Sequence, residues 1–426
     1  MSAKDKIIDN SNKRVPIGLA IIVAVFIFNI WCSLSSIFLP HALTAFISIF
    51  VLVGLFVLYP KVLLSNEAFI YGSLFSVTLL IIVQFHKVSL GYGSGEMDTW
   101  LIETAFILPS LALSAVLAYL RGTKLPYFIF WCFVISFVLS AIYICPVLMF
   151  HRDVARHISY AQMDGLNLEM QGLKNGLWSY TAFHAIALAF IAFWGLYKYS
   201  SGKIKIISIL VALVVLFIVA QIAVTTTFIY IGLVLLILVY MKWSKRALIA
   251  WSVIAILLVL ALVYLDAILD WLLGIYTGSD MEPKIRDFID IVHGGNGYHA
   301  TVDGRENFQQ ENIDAFFKNP LFGTAMARGT GGHSCIWMRF AGGGIFCGIF
   351  YVIMLIKLFF KWYKIFSPPI RPYYLLAWLG AIILLYNKGL FGEEGFSMIA
   401  VIVPAILLMY PLNQKNSSQK RLSSKH

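Results

Sequence analysis

Residue types that could do chemistry together gather in one polar stretch late in the chain. His333 stands directly before the apolar run SCIWMRFAGGGIFCGIFYVIM, and Arg286, Arg305 and Arg328 precede it. Arg339 follows in the first turns of that run. A guanidinium offers a planar fork of donors that matches phosphate oxygens. An imidazole near neutral pH can take a proton from a hydroxyl. Such a set would grip an anionic, phosphate-bearing ligand and activate a nucleophile beside it. Each residue also has an ordinary alternative: a salt bridge to a loop acid for each arginine, a helix-start hydrogen bond for His333. His293 and His299 are weaker base candidates. Glycines flank the set, in HGGNGYH at 293–299, in FGTAMARGTGGH at 322–333, and at Gly342, Gly343, Gly344 and Gly348. They let backbone approach a ligand closely, and the G-x-x-x-G pair Gly344/Gly348 lets a second helix pack closely. No His, Asp or Glu set has metal-ligand spacing. The five cysteines, Cys32, Cys132, Cys145, Cys335 and Cys347, form no C-x-x-C pair. No G-x-x-x-x-G-K-[ST] is present. Neither a metal, a disulfide nor ATP hydrolysis is therefore expected.

These residues must be held by the elements around them. Apolar spacing predicts amphipathic helices near 281–292, with Ile285, Phe288, Ile289 and Val292 on one face, and near 304–317, with Phe308, Ile313, Phe316 and Phe317. Asn319-Pro320 stops the second. Both could lie on a membrane surface or cap a helical bundle. Over the whole chain, 60% of the 426 residues are hydrophobic, only 12% are charged, and mean hydropathy is +0.84. A soluble domain could not hide that much apolar surface. Apolar runs long enough to span a bilayer fall near 16–32, 40–59, 68–85, 99–119, 126–148, 176–197, 205–223, 225–241, 247–266, 334–356, 372–388 and 395–410. The expected fold is an all-α bundle of about twelve spans. Three parts follow: a nine-helix membrane region (1–266), a long outer loop (267–333), and a three-helix membrane region with a tail (334–426).

The net charge of +11 fits topology better than nucleic acid, because the basic residues sit between apolar runs. With both termini inside, every short inner loop is basic: Lys61; Arg121 and Lys124; Lys198, Lys203 and Lys205; Lys242, Lys245 and Arg246; Lys357, Lys361, Lys364 and Arg371. Among acids only Asp5, Asp9 and Glu67 fall on that side. The polar N-terminus precedes a first helix expected to be retained. Trp31, Tyr59, Trp100, Trp131, Trp178 and Tyr240 read as interfacial anchors. Glu103 lies close to a helix end, and His184 reads as a structural hydrogen-bonding group.

Residues 304–351, GRENFQQENIDAFFKNPLFGTAMARGTGGHSCIWMRFAGGGIFCGIFY, resemble the O-antigen polymerase and O-antigen ligase superfamily of bacterial membrane glycosyltransferases. In that family a G-R pair precedes a helix and N-P-L-F-G, then H-[NS] and a glycine-rich start to the next span. Arg305 matches the motif arginine. Asn319, Pro320, Leu321, Phe322 and Gly323 match the middle element, His333 and Ser334 the histidine pair, and Gly344 and Gly348 the glycine-rich turn. The chain departs from the pattern at Ala325, where a second glycine is usual, and at Ser334, where asparagine is common. It also departs at VTTTFIYIG (224–232), which lacks an arginine found in many members.

The resemblance implies a donor glycan on undecaprenyl diphosphate at the outer face of a bacterial inner (cytoplasmic) membrane. Arg305, helped by Arg286, Arg328 or Arg339, would hold the diphosphate. His333 would orient or deprotonate the acceptor hydroxyl. Asn319, Pro320, Gly323, Gly344 and Gly348 would support the motif. No cofactor and no metal are implied, and a single displacement would invert the sugar carbon. Expected partners are the lipid-linked oligosaccharide, the phospholipid bilayer and a chain-length regulator or flippase of the same pathway, and no nucleic acid. The shared motif does not separate a polymerase from a ligase that moves finished glycan to lipid A core or protein. The polymerase is taken first because polysaccharide loci carry very diverse polymerases. A multi-spanning transporter or flippase shares the twelve-span plan, but no half-to-half repeat is evident. A non-catalytic assembly component is a further reading.

Overall fold

The computed structural model of the chain describes residues 14–33, 41–90, 95–150, 178, 180–222, 230–232, 264–277, 282–293, 303–324, 335–387 and 393–410. In chain order the elements are α1 (Ile17–Trp31), α2 (His41–Leu58), the short α3 (Pro60–Leu64), α4 (Glu67–Leu90), α5 (Gly95–Tyr119), α6 (Leu125–Phe150), α7 (Tyr180–Tyr199) and α8 (Gly202–Ile222). They continue with α9 (Leu265–Tyr276), α10 (Glu282–Val292), α11 (Asp303–Lys318), α12 (Cys335–Ile365), α13 (Arg371–Asn387) and α14 (Glu394–Tyr410). Every described regular element is helical, as the need to satisfy backbone groups in lipid requires.

Local chemistry sets several starts. Pro60 opens α3, where its missing N–H costs nothing. The Asn66 side chain accepts from the Phe69 N–H at 3.3 Å and caps α4. The Thr123 hydroxyl accepts from the Leu125 N–H at 3.2 Å at the start of α6.

Five described helices are long and apolar enough to cross a membrane: Glu67–Phe85, Leu125–Phe150, Ala182–Tyr199, Gly202–Gln221 and Ile336–Ile365. The chain is therefore an all-α, multi-pass membrane protein. Ile17–Trp31, Leu43–Leu58, Thr104–Tyr119, Arg371–Leu385 and Glu394–Tyr410 are shorter apolar helices. At 1.5 Å per residue, seventeen residues give about 25 Å, somewhat under a hydrocarbon core of roughly 30 Å. The expected spans 225–241 and 247–266 lie almost wholly outside the described residues.

α7 and α14 form the centre. α7 packs on α8, α13 and α14, and α14 also meets α5. On α7, Ala182, Ala185, Ala187, Ala189 and Ala192 are all buried, so neighbouring backbones approach closely. His184 is buried on the same helix. α14 contains a π-helical turn, Met398–Ile402, with all five side chains in the core.

A polar knot ties α1, α6 and α14. The Trp31 indole N–H donates to Ser397 Oγ at 3.1 Å. The Trp31 carbonyl accepts from the Trp178 indole N–H and from the Ser140 hydroxyl, both at 3.0 Å. Ser140 Oγ in turn accepts the Ser33 backbone N–H at 2.8 Å. Phe133, Phe137 and Phe183 pack around these indoles. Ser140→Ala would strand the buried Ser33 N–H, at a cost of about 1–3 kcal/mol. Unfolding of the detergent-solubilised chain should show that loss, and an unchanged midpoint would count against the knot.

Candidate functional site

α4 and α12 run antiparallel. Glu67 Oε2 meets Lys357 Nζ at 2.7 Å near one end, and the Phe75 and Tyr351 rings lie 5.2 Å apart further along. At the far end of α4, Phe85 stacks on Phe322 at 5.6 Å. The turn that follows α11 therefore sits over this far end of the helix pair.

The expected single span 334–356 is instead two helices joined at Gly344, where φ is 69° and ψ is −173°. Only glycine adopts that region readily. In a continuous helix, residues eight and twelve apart stand about 12 and 18 Å apart along the axis. Here a Cβ on Gly348 would collide with the Phe340 ring, and the Arg339 guanidinium lies 5.7 Å from the Tyr351 ring. The first segment of α12 is thus folded back on the second. In the G-x-x-x-G pair Gly344 makes the kink, and Gly348 makes room for Phe340 of the same helix.

The N-P-L-F-G turn closes the kink. A regular helix would join the Ile345 N–H to the Ala341 carbonyl. Instead the Ile345 N–H donates to the Pro320 carbonyl at 2.8 Å, and the Ala341 carbonyl accepts the Thr324 N–H at 2.8 Å. The Thr324 hydroxyl reaches the same carbonyl at 3.3 Å. The Gly323 N–H donates to Asn319 O at 2.8 Å, which tightens the turn. Gly323, with φ 66°, lies against the Gly342–Gly344 backbone, where a Cβ would fall 2.5 Å from Gly342. A Cβ on Gly344 would overlap the Leu321 carbonyl. Both glycines are therefore required by conformation and by contact.

The fold-back carries Arg339 into the bundle. It is 2% exposed, with its guanidinium 5.9 Å from the Phe75 ring and 5.7 Å from that of Tyr351. Arginine stays charged under such conditions, and aromatic faces attract the cation. A buried charge in a membrane bundle is expensive and commonly marks a ligand or ion site.

The structure thus brings together Arg339, Asn319, Pro320, Gly323, Gly344 and Gly348. Arg305 falls in the first turn of α11, with its side chain outside the described set. Arg328, His299 and His333 lie outside the described residues. Arg286 is on α10, 60% exposed, in an ion pair with Glu282 at 2.8 Å. His293 joins α10 to α9: its Nδ1–H donates to the Ile289 carbonyl at 2.8 Å, and Nε2 lies 3.2 Å from Asp266 Oδ1. The ring thus lies between α9 and α10. Along α9, Tyr264, Ile268, Trp271 and Ile275 form one exposed apolar stripe, suited to a membrane surface.

Two expected faces differ in detail. On α10, Ile285 is buried but Phe288 is half-exposed. On α11 the inward residues are Asn312, Ala315 and Phe316, whose ring meets Phe340 at 5.5 Å, while Phe317 points out. Asn312 was not singled out from the sequence, although its i, i+4 register with Phe316 marks it as a polar group on the packed face. Buried Glu394, at the start of α14, was missed too. Its only signal is an acidic pair opening an apolar run. Among the described residues, no group of three or more His, Cys, Asp or Glu could hold a metal ion. No family model matches the chain, and no curated protein matches it in sequence.

Gly344→Ala and Gly323→Ala should each cost more than about 2 kcal/mol, since positive φ alone costs roughly 1–2 and backbone overlap adds to it. Gly18→Ala, in open space on α1, should be neutral or stabilising. Equal unfolding midpoints for all three variants would contradict the interlock.

Proposed function

We propose that the chain is a membrane glycosyltransferase that polymerises a surface polysaccharide, an O-antigen or related glycan, from undecaprenyl-diphosphate-linked repeat units. The observation that carries this reading is the interlock of N-P-L-F-G with the glycine kink, whose fold-back buries Arg339 in the bundle. Two motif pieces some twenty residues apart meet as one unit (Pro320 to Ile345, Thr324 to Ala341). An arginine buried in the same unit as the N-P-L-F-G turn suits a ligand that carries a diphosphate.

In the proposed topology about twelve spans cross a bacterial inner membrane, with both termini in the cytoplasm and the 267–333 loop in the periplasm. Arg305 and Arg339, with Arg286 or Arg328, hold the diphosphate and stabilise the charge that develops on it. His333 takes the proton from the acceptor hydroxyl of a second lipid-linked unit. The hydroxyl oxygen forms a bond to the anomeric carbon as the bond from that carbon to the diphosphate oxygen breaks. Undecaprenyl diphosphate leaves with the electron pair, and the sugar carbon inverts. The activated donor already holds the bond energy, so the step needs neither ATP nor a metal.

His333→Ala and Arg305→Ala should abolish product while membrane insertion persists. In cells lacking the gene, complemented with wild type or either variant, lipid-linked and surface glycan would be compared on one gel. Loss of long chains, with single repeats still reaching the core, is the expected result. Long chains stranded on the carrier lipid would identify a ligase instead. Normal chains in the deleted strain would remove both enzyme readings and leave transport or assembly.

A further inference from the structure

α9 begins where a run of bilayer-spanning length ends. Residues 247–264 are eighteen uncharged, mostly apolar residues in sequence. Tyr264 has φ −102° and ψ 22°, outside the regular helical range, and α9 starts as a new helix at Leu265. A chain that leaves the bilayer at Tyr264 enters α9 at the depth of the lipid headgroups.

The sides of α9 differ sharply. At about 100° per residue, Ile268, Trp271 and Ile275 fall within about 60° of one another, and Tyr264 lies on the same line. All four are exposed, Trp271 to 64%. Asp266 and Asp270 lie about 130° or more round the helix from the centre of that stripe. Asp266 Oδ1 takes His293 Nε2 at 3.2 Å, so the end of α10 is held on the side away from the stripe. Leu269 is buried, and among the described elements α9 packs chiefly on α10.

The stripe narrows what can cover it. Water is a poor neighbour for aligned Ile, Trp and Tyr side chains. Four side chains on one short helix fall far short of the roughly 20–30 residues a side of a stable protein interface. Anionic headgroups are not called for either: α9 carries two acids and no basic residue. Tyr and Trp, with apolar rings and polar tips, settle at the boundary between headgroups and acyl chains.

We propose that α9 lies flat in the surface of the adjoining leaflet, with Tyr264, Ile268, Trp271 and Ile275 inserted into lipid. Asp266 and Asp270 then face water, and α10 is carried on the water side through His293. Apolar insertion holds the helix there, with no contribution from lipid charge. The inference does not rest on the polymerase reading.

The test reconstitutes the full chain in phosphatidylcholine nanodiscs with a fluorescent amino acid at one position: Ile268, Trp271, Ile275 or Asp270. Ile142, exposed on the membrane-length helix α6, serves as the lipid reference. Quenching is read with spin-labelled lipids and with aqueous iodide. Probes at Ile268, Trp271 and Ile275 should report a depth of about 5–10 Å in the interface and resist iodide. The Asp270 probe should show the reverse, and the Ile142 probe should respond to deeper labels. Trp271→Glu should shift the Ile275 probe from lipid towards iodide quenching. Replacing half of the lipid with phosphatidylglycerol should leave the pattern unchanged. Equal iodide quenching at all four α9 positions would overturn the proposal, because the helix would then stand in water. Shielding of the stripe from both quenchers would also overturn it, because protein would then cover the stripe. A pattern that needs phosphatidylglycerol would overturn insertion without lipid charge.

Discussion

One exchange of hydrogen bonds governs the kinked end of the α4–α12 pair. The kink at Gly344 parts the Ala341 carbonyl from the Ile345 N–H, and the turn at 320–324 bonds to both. An unmet backbone group in the membrane costs several kcal/mol, so neither half is stable without the other. The fold-back of α12, the docking of α11 through Phe316 on Phe340, and the burial of Arg339 all depend on this joint.

That dependence gives the glycines distinct jobs. Gly344 supplies a dihedral that side chains resist, Gly323 allows backbone to touch backbone, and Gly348 leaves space for a ring. The aromatic contact of Phe85 with Phe322 then anchors the turn to α4. At the other end of the same pair, Glu67 and Lys357 form an ion pair at 2.7 Å. A single antiparallel helix pair thus links the glycine-kink end with this ion pair. The proposed transfer chemistry belongs to the former.

The helical, membrane-spanning character was legible from hydropathy, because apolar run length answers directly to bilayer thickness. The membership of Asn319, Pro320, Gly323, Gly344 and Gly348 in one unit was legible as a motif, since turn and glycine chemistry is local. The break at Gly344 was not, because closely spaced glycines also occur in continuous packed membrane helices and the acceptor for Ile345 lies twenty-five residues upstream. Burial of Asn312 and Glu394 was hidden for a similar reason: periodicity marks apolar faces, and a polar group within one depends on its distant neighbours. His293 shows the reverse case, a residue suited to catalysis by type that the fold uses to join α9 to α10.

The central functional claim is that the chain breaks a sugar–diphosphate bond at the end of the bundle that the interlock builds. The most direct measurement reconstitutes the purified chain in nanodiscs with an undecaprenyl-diphosphate-linked repeat unit and follows release of undecaprenyl diphosphate. The account predicts one carrier released for each glycosidic bond formed, with release lost in Arg339→Gln. Intact wild-type protein that leaves the donor uncleaved, or moves it across a bilayer unchanged, would contradict it.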